Sequence, residues 1–193
     1  MATLPGAAHA ESKFVTGTGS LLATANLDFT ITIPKFVYLR VGTGPDLADS
    51  TTVNNLVYSV PAASIGNGTA VAGTGGDLGD GTVTARVMGN NGTISFSSTA
   101  LGAMNNGAGD QLSWTQIDVA VATNTSATAL PHPAMNDSST GIAAPLPITS
   151  GSKVTSLDAK WTFTYKNQNV VAAGTYGGVN ANNGRRYYTA SMP

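Results

Sequence analysis

The chain of 193 residues contains no cysteine. This absence excludes disulfide bonds, metal sites built on thiolates and cysteine nucleophiles in one step. The folded state must therefore be held together by packing and hydrogen bonding alone.

Charge is scarce as well. Charged residues make up 10% of the chain, whereas about a quarter is usual in soluble domains. The nine basic residues are scattered apart from the pair Arg185-Arg186, so no basic stripe is available to neutralise phosphates. No segment approaches the roughly 20 apolar residues of a membrane-spanning helix. We therefore expect neither a nucleic-acid partner nor a membrane span.

Groups for acid–base catalysis are few. The two histidines are His9 and His132, and Glu11 is the one glutamate. His132 lies between two prolines, and the sequence shows no serine or aspartate partner for it, as a catalytic triad would need. Glycoside hydrolysis by a pair of carboxyl groups would have to use aspartates alone. The sequence predicts that the protein is not an enzyme.

Alternation of apolar and polar residues is the strongest pattern that the chain does contain. In residues 25–41, one face carries Leu27, Phe29, Ile31 and Ile33, and the other carries Asn26, Asp28, Thr30 and Thr32. A period of two with β-branched and aromatic residues predicts a half-buried strand. Because proline cannot donate to a sheet ladder, Pro34 divides this stretch into two strands or bends one long strand.

Further strands are predicted along the rest of the chain. Leu157, Ala159, Trp161, Phe163 and Tyr165 share one face of the longest one, which indicates that Trp161 and Tyr165 belong to the core. A hairpin is predicted through Gly89-Asn90-Asn91-Gly92, because Asn and Gly tolerate the positive φ angles of tight turns. The predicted segments after the first stretch are 53–60, 82–87, 93–98, 113–122, 153–166, 172–176 and 184–192, with an edge strand near 146–148.

These patterns predict an all-β protein without convincing helices. About eight short antiparallel strands separated by long Gly/Asn/Pro-rich loops match an immunoglobulin-like β-sandwich, with a jelly roll as the next choice. No shift in composition marks a domain boundary, so residues 11–193 are predicted to form a single domain.

The N-terminus has the features of a processed leader. Ala8-His9-Ala10 fits the small-x-small pattern of a signal-peptide cleavage site, which would make Glu11 the mature start. Residues 1–10 are thus predicted to be the remnant of a secretory signal, and the alternative is an ordinary Ala-rich terminus. Residues 11–24, which include Phe14 and Val15, are a possible lead-in or donor strand. We expect a secreted or cell-surface protein.

Two ends of the chain resemble bacterial pilin-like subunits of the chaperone–usher type, and in particular the spore coat protein U group. The residues that carry the resemblance are NLDFTITIP at 26–34, WTFTY at 161–165, Ala173-Gly174-Thr175-Tyr176, and GRRYYTASM at 184–192. The resemblance implies an incomplete immunoglobulin-like sandwich that is completed by a strand from the next subunit. It also implies a periplasmic chaperone as a partner. The absence of cysteine and the long loops at 62–81 and 124–152 differ from that group.

The leading hypothesis is therefore a non-enzymatic structural subunit of a pilus-like fibre or surface layer that assembles with itself. An exposed sheet edge is a template for another chain's strand. The predicted assembly strand is either Phe14 to Leu22, which includes Val15, or Leu27 to Ile33, whose apolar row also contains Phe29 and Ile31. The alternative hypothesis is a monomeric extracellular module that binds carbohydrate or a surface through its loops.

Two small groups of residues are candidate ligand sites. Asp77 and Asp80 lie three apart in a Gly-rich loop, which suits a Ca²⁺ ion or an ordinary turn with each Asp bonded to its own backbone. Trp114, Tyr187 and Tyr188 are candidates for stacking on a sugar ring. Because Tyr187 and Tyr188 are adjacent in a predicted strand, they face opposite ways and one of them is expected to be exposed.

Overall fold

The structure, a computed structural model, describes residues 11–193. These divide into two units that are considered separately, residues 11–34 and residues 35–193. The described part of the chain holds no helix with the length and apolar character needed to cross a membrane. All strands of the described residues lie in the second unit.

The second unit contains twelve strands and two short 3-10 helices. The 3-10 helices are Ala62–Ser64 and Trp114–Gln116. The strands are β1 Val37–Val41, β2 Leu56–Val57, β3 Val71–Ala72, β4 Thr74–Gly75, β5 Thr82–Gly89, β6 Ser95–Ala100, β7 Met104–Asn105, β8 Gln111–Leu112, β9 Ile117–Ala122, β10 Ala144–Pro145, β11 Thr155–Tyr165 and β12 Arg186–Ser191. Six of the twelve strands have only two residues, so the number of longer strands is smaller than predicted.

The larger sheet is organised around β11. Antiparallel pairing joins β1 to β5 and β5 to β11, and β3 also pairs with β11. β9 pairs antiparallel with residues 160–165 of β11. Since residues 160–162 pair with both β5 and β9, these two strands lie on opposite sides of β11. β9 therefore stands at one margin of this sheet and β1 at the other.

The second sheet has the order β10-β6-β12, again with antiparallel pairing. Its inner face packs on the larger sheet through aromatic rings. The ring of Phe96 on β6 stacks on that of Trp161 on β11 at 6.2 Å, and the ring of Tyr188 on β12 lies 5.5 Å from that of Trp161. The prediction of an all-β, sandwich-like fold is thus confirmed.

β11 has the alternation that its sequence predicts. Leu157, Ala159, Trp161, Phe163 and Tyr165 are each at most 5% exposed. Lys160 on the other face is exposed. Burying a large apolar side chain contributes about 1.5–3 kcal/mol to folding stability. This strand therefore supplies a large part of the hydrophobic stabilisation of the core.

The predicted hairpin through Gly89-Asn90-Asn91-Gly92 is wrong. β5 and β6 belong to different sheets, so the chain crosses from one layer of the sandwich to the other. The Gly92 N–H donates to the Lys153 carbonyl at 2.9 Å, and the Asn90 side chain accepts from the Phe36 N–H at 2.9 Å. These contacts hold the connection open, where a tight turn would pair the two strands with each other.

Two further strand predictions are corrected. The segment 53–60 forms only the two-residue β2, and 172–176 forms no strand. In the latter segment the Tyr176 hydroxyl donates to the Ala172 carbonyl at 2.8 Å, which closes a local loop. The predicted strand at 113–122 begins later, at Ile117, because Ser113 caps a 3-10 helix by accepting from the Thr115 N–H at 3.1 Å.

Candidate functional site

The candidate assembly segment, residues 25–34, forms neither strand nor helix. The prediction of a half-buried strand at Leu27 to Ile33 is therefore wrong for the isolated chain. The apolar row points into solvent: the exposed fractions are 67% for Leu27, 83% for Phe29, 84% for Ile31 and 76% for Ile33. Single exposed apolar residues are ordinary, but an alternating row of four is an unsatisfied surface.

The reason lies in the nature of a strand. A strand exists only when its backbone N–H and C=O groups pair with a neighbouring strand. Within residues 11–34 the Asn26 amide donates to the Glu11 carboxylate at 2.5 Å, and no strand is formed. Residues 27–33 therefore have the side-chain pattern of a strand but take part in none of the sheets.

The preceding residues behave in the same way. Phe14 is 89% exposed, whereas Val15 is partly buried. Leu21 and Leu22 are 52% and 82% exposed. Residues 11–24, the predicted lead-in or donor strand, contain no strand in the structure.

The two aspartates of the Gly-rich loop bind the chain itself. The Asp77 carboxylate accepts from the Thr84 N–H at 2.9 Å and from the Thr84 hydroxyl at 2.5 Å. Asp80 accepts from the Thr82 N–H at 3.2 Å. Over residues 11–193 no group of three or more His, Asp or Glu side chains is placed to hold a metal ion. The Asp80 contact, two residues on, has the form of a turn in which Asp bonds to nearby backbone, whereas the Asp77 contacts reach seven residues along the chain.

The three aromatic residues predicted for ligand stacking are not brought onto one surface. Trp114 is 7% exposed, its indole N–H donates to the Gly102 carbonyl at 3.1 Å, and the Arg186 guanidinium lies 5.3 Å from its ring centroid. Tyr188 faces the core, while its neighbour Tyr187 is 40% exposed. The opposite orientation of the two tyrosines is as predicted, and only Tyr187 remains available to a ligand.

His132 has a partner that the sequence did not reveal. Its Nε2 and the Tyr188 hydroxyl lie 2.8 Å apart in a hydrogen bond, and its ring meets Trp161 edge-on at 4.7 Å. Burial lowers the pKa of His132 to about 4, and the nearby positive charge of Arg186 acts in the same direction. The ring is thus neutral at neutral pH and serves as a polar group of the core. No signal in the sequence links His132 to Tyr188, because the two are 56 residues apart.

Asp158 is a second buried polar residue that sequence reasoning missed. It is 3% exposed, and its carboxylate accepts from the Thr125 N–H at 2.9 Å, the Ser126 N–H at 2.8 Å and both hydroxyls of these residues. Burial by itself raises the pKa of Asp158, but these hydrogen bonds outweigh it and hold the pKa well below its usual range. The alternation along β11 gave no indication that Asp158 is buried. A loop from far along the chain covers it.

No protein-family model, curated protein or solved structure matches the chain. The function must therefore be argued from the molecule itself. Among the described residues, the most prominent uncovered apolar surface is the row of residues 27–33.

Proposed function

We propose that the chain is a non-enzymatic structural subunit that assembles with further copies outside the cell, through a β-strand donated by residues 27–33. One observation carries the proposal: Leu27, Phe29, Ile31 and Ile33 alternate along the chain and are all at least 67% exposed. A strand added to the sheet of a neighbour would bury this row and pair its backbone at the same time.

The gain from such docking is large enough to drive association. Burying each large apolar side chain contributes about 1.5–3 kcal/mol. Four of them, together with the newly formed backbone hydrogen bonds, offset the estimated cost of about 4–15 kcal/mol for bringing two molecules together. Because the polar face with Thr30 and Thr32 would stay in water, only one face of the segment needs a complementary surface.

Other features agree with a fibre or surface-layer subunit. The low content of charge, the leader-like residues 1–10 and the resemblance of 26–34 and 184–192 to pilin-like subunits all support it. We also propose a periplasmic chaperone as a transient partner, because an unpaired apolar strand aggregates unless it is covered.

The test is a pair of double variants of matched charge. Phe29→Asp with Ile31→Asp places two carboxylates on the apolar row, and Thr30→Asp with Thr32→Asp places two on the polar face of the same segment. We expect the first variant to stay at the monomer mass of 19.4 kDa and the second to retain assembly, because its two carboxylates lie on the face that stays in water. Light scattering on a sizing column, with negative-stain microscopy of the same fractions, measures both.

All four substituted residues are exposed in the isolated chain, so neither variant should perturb the sandwich. Circular dichroism checks this point. Filaments of normal length from the Phe29/Ile31 variant would refute the proposal, as would a wild-type protein that is monomeric at every concentration.

A second candidate function is binding of a saccharide, and one observation favours it. Tyr187 is 40% exposed and lines a small cleft together with Leu101, Asn180, Asn182 and Arg185. An exposed aromatic face beside amide groups suits a sugar ring. We expect Tyr187→Ala to abolish saturable binding to a glycan array while Tyr38→Ala retains it. A flat response of the wild type across the array would argue against this function.

A further inference from the structure

β9 is an edge strand of the larger sheet, and no strand within residues 11–193 pairs with its outer side. Among the residues that the structure describes, β9 pairs with β11 alone. At six residues, Ile117 to Ala122, it is long enough to take a whole additional strand. Asp118, Ala120, Val121 and Ala122 are all exposed.

β9 also lacks most of the devices that protect sheet margins. Lysine, arginine and proline on an edge strand discourage pairing with another chain. Ile117–Ala122 contains none of the three, and Asp118 is its one charged residue.

The other margins are better protected. β1 carries Arg40 and follows Pro34-Lys35, and the two-residue β10 ends in Pro145. The chain after β12 is tied down, because the Lys35 and Asn91 side chains both donate to the Pro193 carbonyl, at 2.5 and 2.9 Å. Of the longer edge strands, β9 is thus the one that is open to a partner.

The side chains of β9 show where the core is incomplete. Its inward row is Ile117, Val119 and Val121, which lie opposite Tyr165, Phe163 and Trp161 of β11. Ile117 is 7% exposed, Val119 is partly buried and Val121 is 42% exposed. An added strand with apolar residues at alternate positions would cover Val119 and Val121 and extend the core by one row.

We propose that the outer edge of β9 is the acceptor for residues 27–33 of a second copy of the chain. This inference rests on the proposed function and names the surface that it uses. The seven-residue donor matches the six residues of β9 in length, and both alternate with a period of two. The structure shows no other segment with an uncovered apolar row of that length in the described chain.

Charge disfavours one of the possible registers. An antiparallel alignment with Ile31 opposite Val119 sets both apolar rows on the core side. It places Thr32 opposite Asp118 and Asp28 opposite Ala122, so the two aspartates stay apart. Like charges directly opposite each other destabilise a strand pair, which disfavours the alignment with Asp28 opposite Asp118.

The contact has a consequence for the form of the assembly. Donor and acceptor are different surfaces of one chain, so the interface is head-to-tail. Such an interface repeats into an open filament unless its rotation closes a ring.

Engineered cysteines test the proposal, since the chain has none of its own. Thr30→Cys is made in one tagged preparation, and Ala120→Cys in a second preparation with a different tag. These positions face each other in the proposed register, and Asp118→Cys and Ala122→Cys cover the two neighbouring registers. Controls are Tyr38→Cys on β1 and Thr189→Cys on β12. Each mixture is oxidised under assembly conditions, and the mixed disulfide dimer is measured on non-reducing gels.

We expect the mixed dimer with a β9 cysteine at a yield several-fold above that with either control. Equal yields, or a higher yield at position 38 or 189, would overturn the assignment of β9. The double variant Thr30→Cys with Ala120→Cys in one chain adds a further check, because a disulfide formed solely within monomers would also overturn it.

The experiments distinguish failure of the β9 acceptor from failure of the proposed strand donation. Wild-type filaments that give no cross-link at β9 would refute the acceptor and leave strand donation standing. A wild type without filaments would refute strand donation itself, and with it the acceptor.

Discussion

Residues 27–33 and strand β11 have the same pattern of alternation and the opposite environment. In β11 the apolar row from Leu157 to Tyr165 is at most 5% exposed, whereas the row from Leu27 to Ile33 is at least 67% exposed. β11 has β5 on one side and β9 on the other. The earlier segment has no strand beside it.

The comparison teaches that alternation indicates a capacity to pair and does not supply the partner. A period of two sorts side chains onto two faces, but a strand is stabilised by its cross-strand neighbours and by what covers its apolar face. The four predictions below test whether the two regions differ in this way, in order of decreasing effect.

The largest effect is expected for removal of the central ring of β11. Trp161 is fully buried, and its indole N–H donates to the Leu130 carbonyl at 2.9 Å. Trp161→Ala should lower the free energy of unfolding by about 3–5 kcal/mol, whereas Phe29→Ala should change it by less than about 0.5 kcal/mol. Urea unfolding followed by circular dichroism measures both. Similar losses in the two variants would contradict the contrast between the regions.

Acid should destabilise the core through His132. The pKa of His132 falls from 6.5 to about 4 on folding, so between these values the unfolded chain binds a proton that the folded chain does not. The contribution of the neutral His132 ring to the free energy of unfolding is therefore fully present above about pH 6.5 and is lost as the pH falls toward 4. With about 1.4 kcal/mol for each tenfold change in proton affinity, the loss is on the order of 3 kcal/mol.

His132→Gln removes the titrating ring and keeps a polar side chain. Between pH 4 and 6.5 the free energy of unfolding should depend less steeply on pH, by the amount that corresponds to the uptake of about one proton on unfolding. The slope at these pH values in the variant lacking residues 1–34 should match the wild type. An unchanged slope in His132→Gln would show that another group is responsible.

A smaller effect is expected at Asp158. Asp158→Asn weakens its hydrogen bonds to Thr125 and Ser126 and should cost about 1–3 kcal/mol. Asp118→Asn on the exposed face of β9 is the matched control and should be nearly neutral. Because the folded-state pKa of Asp158 is depressed, its stabilisation is present above its ordinary pKa of about 3.9 and is lost as the pH falls below that value. Equal losses in the two variants at pH 7 would contradict this account.

The smallest effect is expected for deletion of residues 1–34. Within residues 11–193, every residue of the hydrophobic core lies at position 39 or later. The deletion should change the free energy of unfolding of the sandwich by no more than about 0.5 kcal/mol, the range of ordinary surface substitutions. It should also abolish assembly. A large loss of stability would mean that the segment packs within its own chain.

Much of the fold could be predicted because strands carry local signals. The face of β11, the start of β5 and the position of β12 followed from alternation. The pairing of strands did not, and Gly89-Asn90-Asn91-Gly92 illustrates why. Asn and Gly permit a tight turn locally, but contacts with Phe36 and Lys153, both more than 50 residues away along the chain, turn it into a crossing between sheets.

Only the part of the candidate site that depends on a local pattern could be predicted. The apolar row from Leu27 to Ile33 is a local pattern and was recognised as one, although its exposure was not foreseen. The burial of Trp114 and the hydrogen bond between His132 and Tyr188 depend on long-range contacts. Such contacts have no counterpart in composition or spacing.

Sequence alone was enough to predict that this protein is all-β, which apolar residues its longest strand buries, and which segment has the side-chain pattern of a further strand. The tertiary structure decided which strands have partners, leaving residues 27–33 without one and β9 with one side open. The physical reason is that alternation arises from the geometry of a single extended backbone, whereas pairing depends on hydrogen bonds and apolar contacts between segments far apart in the chain.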